Sequence, residues 1–479
     1  MSQKITDSQK TKIVATIGPA SESIEKLRQL VIAGVNIFRI NFSHGTHEQH
    51  ARVIENIQEV NKELKTHVGI LADLQGPKIR VGKIENGGIP LAKGSKIKFV
   101  QTECLGNRDR VYIQYKKFAE DVHPGDRILC DDGKIILEVS NVSDDGEVEL
   151  EVVFGGLLQS FKGVNLPDTK ISMPSLTAKD RKDLDFILKF PINWIALSFV
   201  RNAAEIKELS DIISKANHNA KVIAKVEKPE AIENIKEIIK ASNGIMIARG
   251  DLGVEVPMET VPSIQKNIIK RCIQRARPVI VATQLMESMI KNPSPTRAEI
   301  TDVANAVLDG TDAVMLSGET SVGDYPVKVV ETMNRIISEA EKNYSIALKR
   351  PKADSKATTY LSDVVCIQGA KTSEEVKAKA ITGVTVSGYA AFKISSFRPP
   401  ALICVFSASR DMLRTLNLVW GVRGFYYDKF TTTDETIEDI VAILKDHKII
   451  EIGDTIVNTG SMPIQKRSRT NFLKITIVD

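Results

Sequence analysis

Strand-like and helix-like segments alternate along most of this chain, and that alternation restricts the possible folds more than any other feature. Residues 12–17 form a short run rich in β-branched residues, and 23–33 have the apolar spacing of an amphipathic helix. The same pair recurs at 35–42 and 47–64, and a third strand-like run covers 68–74. Strands that alternate with amphipathic helices predict βα units around a parallel sheet.

The alternation stops at Gly76 and resumes only after Pro174. The intervening sequence contains short β-like runs and turn signals at 85–88, 124–126 and 131–133, and it has no convincing long helix. Because the composition changes on both sides, we predict an inserted all-β domain at 76–169.

Five further strand-like runs follow, at 194–200, 221–227, 244–249, 278–283 and 312–316. With the three runs before the insertion they make eight, and the two pieces, 1–75 and 170–345, together have about 250 residues, the usual size of a (β/α)8 barrel. We therefore predict an α/β fold in which a TIM (β/α)8 barrel is the catalytic domain.

The polar stretch 349–359 is typical of a linker. Beyond it, five strand-like runs lie at 380–386, 401–406, 422–427, 455–457 and 472–478, the first three separated by helical stretches. This pattern predicts a C-terminal α/β domain at 355–479, which we expect to be regulatory.

Composition excludes several classes of protein. A net charge of +5 on 479 residues and 5% aromatic residues give no basis for a nucleic-acid or membrane partner. No apolar stretch reaches the roughly 18 residues that a membrane-spanning helix needs. The five cysteines are scattered without a CxxC pair, which argues against a zinc site or a disulfide framework. We expect a cytoplasmic protein.

Polar residues are concentrated at the ends of the predicted barrel strands, where active sites of such barrels lie. They are Arg39, Asn41, Ser43, His44, Asp73, Lys225, Glu227, Arg249, Asp251, Thr283, Gln284 and Glu319. Any one of them is explained by exposure to solvent. Together they are costly unless a ligand or metal neutralises them.

Two carboxylates at the ends of adjacent strands, Glu227 and Asp251, suit Mg²⁺, which takes oxygen ligands and leaves positions for substrate. Lys225 precedes Glu227 by two residues, so both side chains are expected on one face of the strand. Gly250–Gly253 leads into 256–265, where a predicted helix start could hold a carboxylate or phosphate. Neither a GxxxxGK[ST] nor a GxGxxG motif is present.

Longer motifs resemble the pyruvate kinase family in order and spacing. They are RINFSH at 39–44, GPKIR at 76–80, GVNLP at 163–167, KVEKPE at 225–230, MIARGDLGVE at 246–255, ATQ at 282–284, PTRAEITDV at 295–303 and MLSGET at 315–320. The resemblance covers the barrel and the inserted domain fully and the last domain loosely.

This resemblance implies phosphoryl transfer from phosphoenolpyruvate to ADP, giving pyruvate and ATP in glycolysis. It also implies that Glu227 and Asp251 ligate Mg²⁺ and that Lys225 stabilises the phosphoryl group in flight. Arg39 would contact the substrate phosphate, the amides of Gly250 and Asp251 its carboxylate, and Thr283 would lie beside the carbon that is protonated. Residues implied on the nucleotide side are Asn41, Ser43, His44, Arg80 and Lys162. The inserted domain would be a lid, and the protein a homotetramer with an effector site in its last domain.

The chain departs from the family pattern at its monovalent-cation region. Asn41, Ser43 and Asp73 match, but Leu74 stands where threonine is usual and Lys78 where potassium-dependent members carry glutamate. We predict that K⁺ is not required, because the Lys78 ammonium substitutes for it. The alternative is that Lys78 faces solvent and K⁺ still binds.

A second departure lies in the effector loop, 385–391. Thr385, Ser387 and Gly388 precede a helical stretch, but the alanines at 390 and 391 offer nothing to a phosphate. The basic residues Lys466, Arg467 and Arg469 lie in a loop before the last strand. We expect a phosphorylated effector there; the alternative is a solvated run of charge. Two alternatives to the main function also stay open, a Mg²⁺-dependent aldolase or lyase and an inactive metabolite sensor.

Overall fold

The computed structural model describes residues 9–342, 350–429, 431–463 and 468–479. The first barrel segment contains β1 (Lys12–Thr16), α1 (Ile24–Ala33), β2 (Ile37–Asn41), α2 (His47–Glu63) and β3 (Gly69–Asp73). Ser23 caps α1 by accepting from the Lys26 amide, and Thr46 forms a capping box with Gln49 at the start of α2. Side-chain caps of this kind satisfy the free amides of a first helical turn, which explains why the helices begin there.

The insertion is an all-β domain, which we call the lid. Its elements are β4 (Gly88–Leu91), β5 (Lys96–Val100), β6 (Arg110–Tyr112), α3 (Phe118–Asp121), β7 (Arg127–Cys130), β8 (Ile135–Val142), β9 (Val148–Phe154), β10 (Gly156–Gln159) and β11 (Val164–Asn165). Six strands form one sheet in the order β11-β7-β8-β9-β5-β6, and β10 pairs with β4. Buried residues alternate with more exposed ones along much of β8 and β9, as expected of strands with one face on a core.

The chain then returns to the barrel. The elements are α4 (Ala178–Ile187), β12 (Trp194–Leu197), α5 (Ala203–Lys215), β13 (Lys221–Val226), α6 (Pro229–Glu233), α7 (Ile235–Ala241), β14 (Gly244–Ala248), α8 (Arg249–Glu255), α9 (Val261–Gln274), β15 (Val279–Ala282), α10 (Arg297–Leu308), β16 (Ala313–Leu316), α11 (Gly318–Ser321) and α12 (Pro326–Lys342). Short 3₁₀ turns lie at Glu85–Gly87 in the lid and at Met258–Thr260 and Glu287–Ile290 in the barrel. The eight parallel strands close in the order β1-β16-β15-β14-β13-β12-β3-β2. This confirms the predicted TIM barrel.

One helix start differs from the prediction. We expected a helix beyond Val256, but α8 begins at Arg249, immediately after β14, and contains both Gly250 and Gly253. Glycine disfavours a helix interior by about 1 kcal/mol relative to alanine, so propensity alone argued against a helix there. The consequence is that Asp251 lies in the first turn of a helix.

The C-terminal domain is a parallel sheet with one antiparallel edge strand. It contains α13 (Tyr360–Glu375), β17 (Ala380–Val384), α14 (Tyr389–Ser395), β18 (Leu402–Ser407), α15 (Arg410–Leu416), β19 (Val422–Tyr426), α16 (Thr433–Asp446), β20 (Thr455–Gly460) and β21 (Phe472–Ile477). The strand order is β19-β18-β17-β20-β21, and β21 is antiparallel to β20.

This domain packs on the N-terminal ends of the barrel strands. Leu418 is buried with the residues of the barrel interior, and Trp194 Nε1 donates to the Thr415 carbonyl at 3.2 Å. Arg398 Nη2 pairs with Asp312 Oδ2 at 2.9 Å, both side chains being 4% exposed. Because this end of the barrel is filled, a ligand has access only at the opposite end, the barrel mouth.

The domain limits given above, 1–75 with 170–345, 76–169 and 355–479, stay predictions. Among the described residues, no helix is both long and apolar enough to cross a membrane.

Candidate functional site

Lys225 lies at the centre of the barrel mouth. Its Nζ donates to Ser198 Oγ at 2.7 Å and lies 2.9 Å from Glu227 Oε1 and 3.3 Å from Asp73 Oδ1. Burial lowers the pKa of Lys225, but Asp73 and Glu227 outweigh it, so the pKa is raised overall. Lys225 is therefore a fixed ammonium, on the same face of its strand as Glu227, as the two-residue spacing predicted.

Glu227 is a buried carboxylate, and both of its oxygens have a protein partner. Its side chain is 1% exposed, Oε2 accepts from the Phe199 amide at 2.8 Å, and Oε1 pairs with Lys225 Nζ at 2.9 Å. Burial raises the pKa of Glu227, and the charge of Asp251 raises it further, against the effect of Lys225. A cation between Glu227 and Asp251 would relieve that repulsion.

These two carboxylates fit a magnesium ion. In the described part of the chain, no group of three or more His, Cys, Asp or Glu side chains could hold a metal. Mg²⁺ usually binds through one or two carboxylates and fills its other positions with water and substrate oxygens. Glu227, whose Oε1 also pairs with Lys225, and the half-buried Asp251 supply such a pair.

Thr283 has a strained backbone beside α8. Its φ is 69°, in a region that a β-branched residue rarely adopts, and Gln284 follows at 56°. Thr283 Oγ1 accepts from the Gly250 amide at 2.8 Å, and its carbonyl accepts from Arg249 Nη2 at 2.8 Å. Strain of this kind is found mostly at functional sites. The Gly250 amide, expected to hold a substrate carboxylate, is engaged by Thr283 in this structure.

Arg39 and Asp73 form the third part of the mouth. Arg39 Nε donates to Asp73 Oδ2 at 2.7 Å, and Nη1 donates to Thr16 Oγ1 at 3.0 Å. Burial alone would raise the pKa of Asp73, but the positive charges of Lys225 and Arg39 lower it overall. Strands β1, β2, β3, β12 and β13 thus bring their polar ends together.

Comparison with known proteins agrees with this geometry. The family model described as "Pyruvate kinase, barrel domain" matches residues 8–330, and "Pyruvate kinase, alpha/beta domain" matches 363–476. The chain belongs to the pyruvate kinase family. It is 43% identical to a pyruvate kinase of Geobacillus stearothermophilus over 98% of this chain and 80% of that protein, and 41% identical to one of Clostridium perfringens over 98% and 99%. A crystal structure of a pyruvate kinase from Cryptosporidium parvum superposes with a TM-score of 0.91 at 34% identity, covering 100% of this chain and 98% of that one. The chain is thus a pyruvate kinase, a glycolytic enzyme.

The monovalent-cation region of this pyruvate kinase requires one correction. We predicted that Leu74 removes a ligand oxygen, but its side chain is 1% exposed and packs in the core between the strands and helices, on the face opposite to Asp73. A side chain at position 74 does not reach the mouth, so that argument was wrong. The Leu74 carbonyl accepts from Ser198 Oγ at 2.7 Å. The prediction of K⁺ independence now depends on Lys78 alone.

Lys78 is half-buried and lines the cleft between the lid and the mouth, together with Asp132 and Asp251. Its Cε lies 3.8 Å from the position that a Cβ on Gly163 would take. The ammonium-bearing side chain therefore lies between the two domains.

The residues assigned to the nucleotide side lie on both domains. Ser43 donates its amide to Asn41 Oδ1 at 3.1 Å, which fixes the loop after β2. Partial desolvation lowers the pKa of His44, and neighbouring cations, of which Arg80 has the largest effect, lower it further. On the lid, Lys162 Nζ pairs with Asp131 Oδ1 at 2.8 Å, and Arg80 Nη1 donates to the Phe161 carbonyl at 2.9 Å. The effect of Arg80 on the pKa of His44 shows that the lid and barrel members of this set lie near each other.

Three of the effector residues line a cavity of about 280 Å³ in the C-terminal domain. Thr385, Ser387 and Arg469 are in its wall, and Gly388 caps α14 at a φ of 76° while its amide donates to Thr385 Oγ1 at 2.9 Å. A Cβ at Gly388 would lie 2.9 Å from Met412 Sδ, so glycine is required there. Lys466 and Arg467 lie outside the described residues.

Sequence reasoning missed two polar residues of the mouth, Ser198 and Thr16, which contact Lys225 and Arg39 respectively. Thr16 is the last residue of the first barrel strand, β1, and Ser198 directly follows the fourth, β12. The rule that polar residues at strand ends form the site therefore applies to these two strands as well.

Proposed function

We propose that the barrel mouth transfers the phosphoryl group of phosphoenolpyruvate to ADP, with Lys225 stabilising the group in flight. The observation that carries this proposal is the buried ammonium of Lys225 at the barrel mouth, 2.9 Å from Glu227 Oε1 and 3.3 Å from Asp73 Oδ1. Phosphoryl transfer is catalysed mainly by positioning and by charge stabilisation, which such an arrangement supplies.

Mg²⁺, when bound, would neutralise charge on the substrate oxygens and hold them in line. Glu227 and Asp251 are the residues that would ligate it. Arg39, oriented by Asp73 through Nε and by Thr16 through Nη1, would donate to the substrate phosphate. Stabilisation of the phosphoryl group, ligation of the metal and contact with the substrate phosphate would thus use side chains at the ends of neighbouring barrel strands.

Thr283 would act on the enolate half of the reaction. Its Oγ1 accepts from the Gly250 amide and donates to the Ala282 carbonyl at 2.6 Å. With the substrate carboxylate at the Gly250 amide, Oγ1 would instead accept a hydrogen bond from a water beside the carbon that is protonated. The lid, which carries Lys162, would exclude bulk water while the phosphoryl group moves.

The decisive experiment is ADP-dependent release of pyruvate from phosphoenolpyruvate with and without a chelator. We expect turnover that requires both ADP and Mg²⁺. Pyruvate formed without ADP would favour an aldolase or lyase, and binding without turnover would favour a sensor. Replacing Glu227 by glutamine should raise the Mg²⁺ concentration needed for half-maximal rate, because one charged ligand is lost.

The proposal extends to regulation and assembly. The cavity beside α14 would take a phosphorylated effector, supported by Arg469 and by the hydroxyls of Thr385 and Ser387 in its wall. We also propose a cytoplasmic homotetramer. Analytical ultracentrifugation with and without sugar phosphates tests assembly and effector binding together.

A further inference from the structure

A buried carboxylate, Glu255, joins the lid to the barrel. Its Oε1 accepts from Asn165 Nδ2 at 2.8 Å and lies 2.8 Å from Lys228 Nζ. Asn165 is the last residue of β11 in the lid, and Glu255 is the last residue of α8 in the barrel. One oxygen atom of the barrel therefore holds a lid amide and a barrel ammonium at the same time.

Both barrel partners are next to the proposed metal ligands. Lys228 follows Glu227 directly in the sequence, and Glu255 lies four residues after Asp251 in α8. Residues four apart on a helix lie on one face, so Glu255 and Asp251 face the same cleft. A displacement of the lid is thereby transmitted to the two segments that carry the metal carboxylates.

The chemistry of this contact favours a strong but reversible bond. The side chains of Lys228 and Glu255 are 7% and 1% exposed, so the acceptor is a desolvated carboxylate. Glu255 Oε2 has no hydrogen bond, and Asn165 supplies a donor that adds no charge of its own. Hydrogen bonds to ionised acceptors are about twice as strong as neutral ones.

A second contact lies where the chain leaves the lid. Arg201 donates to the carbonyls of Ile171 and Met173, the latter at 2.8 Å, and pairs with Glu205 at 2.7 Å. These carbonyls belong to the segment that leads from the lid back into the barrel, whereas the Asn165 contact joins a lid strand directly to a barrel helix.

We propose that Asn165, Glu255 and Lys228 form a lid latch, which holds the lid closed over the cleft and keeps α8 in position for metal and substrate. The inference rests on the proposed role of the lid in phosphoryl transfer. Asn165 is a positioning residue in this scheme, since it acts through Glu255 and touches no reacting atom.

The test compares Asn165→Asp with Asn165→Ala in the full-length enzyme. Aspartate keeps the shape of asparagine but replaces the donor by a carboxylate, which Glu255 repels. We expect kcat/KM for phosphoenolpyruvate to fall on the order of tenfold in the alanine variant, and further in the aspartate variant, as for loss of a charge-assisted hydrogen bond. Hydrogen exchange of the backbone amides in β11 and α8 should become faster in both. Asn141→Asp, on an exposed face of the lid strand β8, is the matched control and should change neither readout.

Unchanged exchange in β11 and α8 of the Asn165→Asp variant would overturn the latch, whatever its activity. Where circular dichroism shows that this variant does not fold, Asn165→Ala decides by the same criterion. The exchange measurement needs no turnover. An inactive wild-type enzyme would therefore refute the proposed function, whereas an active wild type with an insensitive Asn165→Asp variant would refute only the latch.

Discussion

Replacing Lys225 by methionine separates its catalytic role from its structural one. Methionine has similar length but no charge, so the ammonium contacts to Ser198, Glu227 and Asp73 all disappear. A single well-placed charged stabiliser is worth roughly 3–5 powers of ten in related phosphoryl transfers. We expect kcat to fall by that amount, with the KM for phosphoenolpyruvate changed far less because Glu227 and Asp251 remain.

The same substitution has a stability cost that must be separated from catalysis. Removing one partner of a buried ion pair costs about 3–5 kcal/mol, since the remaining carboxylate is left uncompensated. Asp73→Asn in the Lys225→Met background removes one such carboxylate and still offers an oxygen to Arg39 Nε. We expect the double variant to regain part of the lost stability but none of the lost kcat.

The assay is steady-state kinetics combined with thermal unfolding for the single variant, the double variant and Lys221→Met. Lys221 begins the same strand at its other end and serves as the control for loss of a lysine. A Lys225→Met enzyme with near-normal kcat and a raised KM would show that Lys225 only pairs with its neighbours. Recovery of activity together with stability in the double variant would lead to the same conclusion.

The remaining predictions concern the cation region, the effector loop, acid stability and the domain contact. The wild-type enzyme should have the same activity with K⁺ and with a bulky organic cation at matched ionic strength. The Lys78→Glu variant should be less active without K⁺ and should require K⁺ for activity. Strong activation of the wild type by K⁺ would contradict the proposed role of Lys78. A triple alanine variant of the basic loop should lose effector activation at unchanged basal kcat; the replaced residues are Lys466, Arg467 and Arg469. Because Lys225 and Arg39 lower the pKa of Asp73, its contribution to stability is present above the ordinary pKa and is lost as the pH falls through the lowered value; Asp73→Asn should therefore flatten the fall of Tm in acid. Arg398→Met should destabilise the protein by about 3–5 kcal/mol by leaving Asp312 buried and unpaired, and denaturant unfolding would detect this; an unchanged unfolding midpoint would contradict it.

The barrel could be predicted because its signals are local. Each strand is a short apolar run, the longer helices between them have a capping residue or an apolar stripe, and the count of eight follows from adding the strands. The strand-end rule then placed Lys225 and Glu227 on one face, which the structure confirms. The predicted helix start was wrong at α8, because Gly250 and Gly253 lie inside this helix although glycine disfavours a helix interior.

The contacts between domains could not be predicted from local pattern. Asn165 and Glu255 are 90 residues apart, and nothing in either neighbourhood indicates that they meet. The orientation of Leu74 was missed for a different reason, since a family position was carried over without the alternation of side chains along β3. Residues 71 and 73 face inward, so residue 74 must face the helices.

The buried carboxylates at the mouth differ in how their charge is balanced. Asp73 pairs with two cations, Arg39 and Lys225, whereas Glu227 pairs with Lys225 and is opposed by Asp251. The proposed divalent cation between Glu227 and Asp251 would remove that repulsion and attract the substrate phosphate to the same place. An ammonium at Lys78, approaching from the lid side of the cleft, would add the further positive charge that a bound potassium ion adds elsewhere in the family. Since the side chain at position 74 faces the core, the prediction of K⁺ independence depends on the positive charge of Lys78 and not on a ligand oxygen that Leu74 lacks.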